Sequence, residues 1–409
     1  MNNAQRRIRI LDSTLREGMQ HPGVNLNHGQ MATIVKRLEG IGVDQIEIHG
    51  NVSRHHYEFA RQILCRQSNF NADIVVHCRA LQRDIDDAIN IGARSIGTYI
   101  GTSPAHLHRL GITLDEAINV AVRVTGYARG RGVSVRVTME DATSTSPADL
   151  LRICMAVQNA GATSISIPDT RGMMNPRTMG EHISYLRNHG ITLQLDTHCH
   201  NDLDQAVANS FAAVLSGANQ IHTTINGVGE RCGIASLSSI AAAASNSYHQ
   251  DGLNISIRTE QLTELSRDFY HMIHRVPPST QPVVGRNAFS NTAGTHIHGI
   301  TSSSATYLGL SAEMVGNRIS LVYGVLTGRR AVEFLLYFLE LRSQVTHSNL
   351  WGVNPIDLEN MSVSELVDLL KGQSRNDLFT VTMSEAEFNS YVSAFRAREE
   401  AHDIEPIAT

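Results

Sequence analysis

Eight short runs rich in β-branched and apolar residues recur between residues 7 and 226, each followed by a longer stretch with helical spacing that closes near glycine. The runs are RIRILDSTL, VDQIEIHG, ADIVVHCR, SIGTYIG, VSVRVTMED, SISIPDT, LQLDTH and QIHTTING. Near-continuous apolar strands joined by helices are what a parallel sheet covered on both faces requires. Eight such units predict a (β/α)8 barrel. An open doubly wound sheet is the alternative, but its phosphate-binding glycine pattern is missing: GVGERCG spaces its glycines G-x-G-x-x-x-G and follows the last strand.

At 409 residues the chain is long enough for a barrel of roughly 250 residues and a smaller region. We divide it into a catalytic barrel (1–270), a connecting subdomain (271–330) that opens with the proline-marked HRVPPSTQPVVG, and a helical C-terminal region (331–409). In the last, Ser362 with Glu365 and Ser384 with Glu387 have capping-box spacing.

A formal net charge of −5 gives no reason to expect nucleic acid as a partner. No stretch reaches the eighteen or so apolar residues of a membrane span, and the N-terminus lacks a signal-peptide core. Five scattered cysteines without a C-x-x-C pair read as unpaired thiols. The expected location is cytoplasmic.

In this fold the reactive groups sit at the C-terminal ends of strands. Those ends carry Asp12, Arg16 and Glu17; Glu47 and His49; His77 and Arg79; Arg136, Thr138, Glu140 and Asp141; Asp169 and Thr170; and Asp196, His198, His200, Asn201 and Asp202. Asp12, Asp141 and Asp169 read as local caps, Asp202 as a partner that orients an imidazole, and His49, His222 and His274 as packing residues. The pair in LDTHCHND is different, because residues i and i+2 of a strand leave the same face. His198 and His200 therefore aim into one space, with Cys199 turned into the wall. Two imidazoles with a carboxylate from another strand suit a divalent cation such as Zn²⁺, Mn²⁺, Fe²⁺, Co²⁺ or Mg²⁺.

The three motifs DSTLREG, DTHCHND and GVGERCG, in this order, resemble the DRE-TIM metallolyases, and within them the Claisen-condensing synthases that make homocitrate, isopropylmalate and citramalate. The resemblance runs over about 7–310 and is nearest to homocitrate synthases. It implies an acyltransferase that condenses acetyl-CoA with a 2-oxo acid, 2-oxoglutarate or a similarly anionic acid first, at a divalent metal (Zn, Mg, Mn or Co). Isopropylmalate- or citramalate-type action on oxaloacetate, phosphonopyruvate, 2-oxoisovalerate or pyruvate is the alternative, with a superfamily lyase that cleaves an acyl-CoA as a further one.

Carried over by position, Glu17, His198 and His200 are the implied metal ligands. Arg16, Gln20, His77, Arg136, Thr138 and Thr170 are the implied substrate contacts, and Arg16, Glu140, His296 and Tyr307 the catalytic groups. His296, in AGTHIHG, belongs to a segment that enters the neighbouring subunit's site, which implies a domain-exchanged homodimer. Three stretches depart from the family pattern beside the substrate: Met19 in REGMQ, EDATSTSP and PDTRGMMNP. A regulatory module of the kind that follows the isopropylmalate synthases is not expected.

Overall fold

A computed structural model describes residues 6–342, 362–372 and 379–401. The chain divides into two compact units, Met1–Val276 and Pro277–Thr409. In the first, the eight runs become the strands of a closed parallel barrel: β1 Arg9–Asp12, β2 Gln45–His49, β3 Asp73–Arg79, β4 Ser95–Gly101, β5 Ser134–Glu140, β6 Ser164–Asp169, β7 Gln194–Cys199 and β8 Gln220–Thr223. β8 closes on β1 with Arg9 opposite Gln220 and Asp12 opposite Thr223. Closure leaves no unpaired edge, which rules out the open sheet.

Ile74, Val75 and Val76 on β3, and Ile165 and Ile167 on β6, are buried as a sheet covered on both faces demands. Local chemistry sets the helix ends. Asn27 with Gln30 and Thr113 with Glu116 form reciprocal capping boxes at the starts of His28–Ile41 and Leu114–Gly130, and such caps contribute about 1 kcal/mol each. The first of these helices ends on Gly42 at φ +93°, the left-handed conformation that glycine adopts without strain.

The second unit holds a three-stranded sheet in which β10 (Ile319–Tyr323) runs parallel to β9 (Ser290–Asn291) and antiparallel to β11 (Phe379–Met383). Helices Arg329–Arg342, Val363–Gly372 and Glu385–Ala401 lie where the sequence places them. Both serine–glutamate capping boxes form, with Ser362 and Ser384 each donating from backbone N–H to the glutamate three residues on. Phe334 packs edge-on against Phe395, with ring centroids 5.3 Å apart. β10 and β11 were not anticipated. Stretches 343–361, 373–378 and 402–409 of the anticipated helical region lie outside the described residues.

Candidate active site and metal centre

The strand ends of the barrel surround a cavity of about 320 Å³. Nine of the positions read from the sequence line it: Arg16, Glu17, Gln20, His77, Thr138, Glu140, Thr170, His198 and His200. The chain reaches Glu17 through a tight turn after β1, where the Glu17 N–H donates to the Ser13 carbonyl at 2.7 Å. The GVGERCG loop closes over it from the other side. Gly233, at φ +79°, sits so close to Gly227 that any side chain there would strike the Gly227 carbonyl oxygen. The loop thereby brings the Glu230 N–H to Glu17 Oε1 at 3.0 Å.

Strand alternation delivers the histidines. Asp196 and His198, followed by His200 just past the strand end, share one face. Cys199 turns away, is buried, and contacts Thr197 Oγ1 at 3.2 Å; burial pushes its thiol up to about 12. The ligand atoms of Glu17, His198 and His200 all lie within 4.8 Å of one another. This is the one group of three or more histidine, cysteine or acidic side chains so placed among the described residues. The donor set fits a divalent cation: two imidazoles and a carboxylate converge, and buried His200 Nδ1 has no hydrogen-bond partner. Burial, reinforced by Arg16, holds His198 well below the usual imidazole range, so it presents a lone pair.

Glu47 organises the charges beneath this cluster. It accepts from Ser13 Oγ at 2.6 Å and Arg16 Nε at 2.8 Å, lies 3.3 Å from His77 Nδ1, and pairs with Arg136 Nη2. Burial opposes its charge, but the two guanidinium groups win and hold it well below the carboxylate range. Arg16 also pairs with Glu17. Arg136 does not line the cavity: it lies two residues before Thr138 on the same strand face, about 6.6 Å back along the strand and so deeper in the barrel. Its Nε and Nη1 are buried without partners. Gly97 on the neighbouring strand leaves the space it fills, since a Cβ there would overlap Arg136 Nη2.

Around the rim, Glu140 sits 3.5 Å from Arg109 and 3.4 Å from His106. The Thr170 hydroxyl accepts from the Asp141 N–H at 2.9 Å. Asp169 caps its own loop, accepting from the N–H groups of Met173 and Met174 at 3.2 and 3.0 Å. Asp202 does not orient an imidazole; it accepts both arms of Arg231 at 2.7 and 2.8 Å, the bidentate match that a guanidinium makes with a carboxylate. His296 and Tyr307, in the second unit, stack on each other with ring centroids 4.1 Å apart.

Sequence reasoning passed over Tyr99 and Ser166 and took His222 for a packing residue, yet all three line the cavity. Tyr99 stacks face to face on His77 at 5.1 Å. The signal for Tyr99 and Ser166 was the two-residue period of β4 and β6, which places them on the inward face with Gly97 and Ser164.

A parallel barrel with a carboxylate, two imidazoles and an arginine at its C-terminal mouth defines a class of barrel enzyme, and comparison narrows it. Residues 7–268 match the HMGL-like family model, and residues 283–350 match the homocitrate synthase post-HMGL domain-like model. The chain is 38% identical over 346 residues to a probable 2-isopropylmalate synthase of Methanopyrus kandleri, covering 84% of this chain and 68% of that protein. It is 34% identical over 379 residues to an (R)-citramalate synthase of Methanocaldococcus jannaschii (91% and 74% covered). With a homocitrate synthase of Sulfurisphaera tokodaii it shares 33% over 407 residues (96% and 88% covered). In fold it resembles the hydroxymethylglutaryl-CoA lyase of Pseudomonas aeruginosa, with a TM-score of 0.59 at 17% identity, covering 67% of this chain and 95% of that one. The chain is an enzyme that belongs to the HMGL-like family, among its DRE-TIM Claisen-condensing synthases. Among the described residues no helix is long and apolar enough to cross a membrane.

Proposed function

We propose that this protein condenses acetyl-CoA with a 2-oxo acid, and that the acid is a dianion such as 2-oxoglutarate. The observation that carries the substrate reading is the linked cluster of Arg16, Arg136, Glu17 and Glu47. Two cations and two anions cancel. A divalent cation held by Glu17, His198 and His200 would add two positive charges and polarise a bound ketone as a Lewis acid. Arg136, whose Nε and Nη1 are buried without partners, marks this cluster as one that the second carboxylate of a dianion would complete.

Arg16, fixed on Glu47 and Glu17, is preorganised to stabilise the alkoxide that forms on the former ketone oxygen. The unpartnered nitrogens of Arg136 are donors for a second carboxylate. His77, Gln20, Thr138 and Thr170 line the remaining wall. A base must take a proton from the acetyl methyl group as its carbon attacks the ketone. We assign that role to His296, stacked on Tyr307 and assisted by Glu140, with residues 271–330 carrying it into the site of a second copy of the chain. Water then cleaves the thioester, releasing coenzyme A and a carboxylate.

A second reading rests on the depth of Arg136. If its guanidinium stays on Glu47, the acid would meet mainly Tyr99, Thr138 and Ser166, which suits pyruvate or 2-oxoisovalerate. Thiol release from acetyl-CoA with 2-oxoglutarate, oxaloacetate, phosphonopyruvate, 2-oxoisovalerate and pyruvate separates the two, repeated with Arg136→Ala. A dianion should be preferred, and the substitution should erase its advantage. Preference for 2-oxoisovalerate or pyruvate would establish the second reading.

A further inference from the structure

β7 and β8 are neighbours in the barrel, with Asp196 opposite Gln220 and Thr197 opposite Ile221. The inward side chains of the two strands therefore form adjacent columns, and His222 falls beside His198. Their Nδ1 atoms are 3.3 Å apart, with the rings crossed at 80°. On the far side of His222, its Nε2 lies 3.5 Å from Asp196 Oδ2. Beyond His198, Nε2 lies 3.9 Å from Glu17 Oε2. All four side chains are buried.

Only one hydrogen fits between two ring nitrogens at 3.3 Å, so one Nδ1 donates and the other accepts. Asp196 biases the choice by its charge: its Oδ2 is the acid oxygen facing His222 Nε2, at 3.5 Å, beyond a formed hydrogen bond but close enough to repel a lone pair. Its carboxylate is anchored, Oδ1 accepting from Gln194 Nε2 at 2.8 Å and Oδ2 from Ser164 Oγ at 3.3 Å. A ring nitrogen presenting its lone pair to that carboxylate would be repelled, so the hydrogen of His222 sits on Nε2 and its Nδ1 becomes the acceptor. His198 must then donate from Nδ1. That leaves the lone pair of His198 Nε2 on the side of Glu17 and His200.

We infer that Asp196 and His222 are positioning residues that select the Nε2-ligating tautomer of His198 and fix its ring in the metal site. This rests on Glu17, His198 and His200 being the metal ligands. An imidazole here does what a carboxylate or carbonyl usually does behind a ligating histidine.

The test is Co²⁺ binding to the purified full-length protein, followed by calorimetry and by the visible ligand-field spectrum. His222→Leu removes the acceptor and should weaken Co²⁺ binding about 10–100-fold. His222→Gln, whose carbonyl oxygen can accept from His198 Nδ1, should recover most of the affinity. In the Co²⁺ protein the His198 Nδ1–H should appear as a shifted proton resonance protected from solvent exchange, and Asp196→Asn should weaken that protection. The unmodified protein and Asp196→Asn carry the test if His222→Leu does not fold. Equal affinity and an unchanged spectrum in His222→Leu would overturn the inference, as would a freely exchanging His198 proton in the unmodified protein. Failure of the unmodified protein to bind Co²⁺ would instead sink the metal-site reading, and this inference with it.

Discussion

Arg136 and Glu47 meet inside the barrel, one side-chain layer below the cavity that Thr138 lines. Neither group reaches water, and Glu47 carries Arg16 as well. Glu47→Gln would leave two guanidinium groups facing each other without their shared anion. Breaking a buried pair by removing one partner costs about 3–5 kcal/mol. Denaturant unfolding should show a loss of that order, most of it recovered in Glu47→Gln with Arg136→Met. Equal stability of the double and single variants would mean that the two charges are not coupled.

Divalent cations should raise the stability of the whole protein. A ligand at a hundred times its dissociation constant adds about 2.7 kcal/mol when it binds only the folded state. A thermal-shift series with Mn²⁺, Zn²⁺ and Mg²⁺ should show a rise that chelator reverses. His198→Ala or His200→Ala should abolish it. His182→Ala, on a helix where the ring contacts the Thr178 carbonyl, should leave it intact.

Asp12 is buried at the end of β1, and burial, partly offset by hydrogen bonds from Thr14, raises its carboxyl to about 7. The folded state therefore binds a proton that the unfolded chain releases near 3.8. The associated stability is fully present below the unfolded value and is lost as pH rises towards 7, on the order of 4 kcal/mol in all. Asp12→Asn keeps the shape without the titration. The difference in unfolding free energy between the two proteins should be small near pH 4 and should grow in favour of the Asp12→Asn variant up to about pH 7. A flat difference would contradict the shift.

If His296 serves the site of a second copy, two inactive variants should repair each other. Arg16→Ala disables the barrel side and His296→Ala the other. Mixed and reassembled, half of the dimers pair the two variants and carry one intact site of two, so about a quarter of the activity should return. No recovery would place the base on the same chain as its barrel.

The barrel and the histidine pair were readable because both depend on short-range periodicity, whereas Glu17 joined that pair only through the family resemblance. Eight β-branched runs with helical spacers specify the strands, and a two-residue interval puts His198 and His200 on one face. What could not be read depends on register between strands. His222 looks like a packing residue until β8 is laid beside β7, and Arg136 belongs to the cavity wall or the layer beneath it only once its level relative to Thr138 is known. The same limit hid β10 and β11: their partners come from segments centred near 290, 320 and 381, with no turn between them to announce a hairpin. Asp202 was assigned to an imidazole because nothing in the sequence showed Arg231 returning to meet it.

Gly97 gives the barrel interior its second cation. A single methyl at that position would land on the guanidinium of Arg136 and come within 3.3 Å of Glu47 Oε1. Alanine there would displace the guanidinium and loosen its hold on Glu47. The position of the buried cation could thus be reset from the adjacent strand, by a residue that carries no side chain of its own.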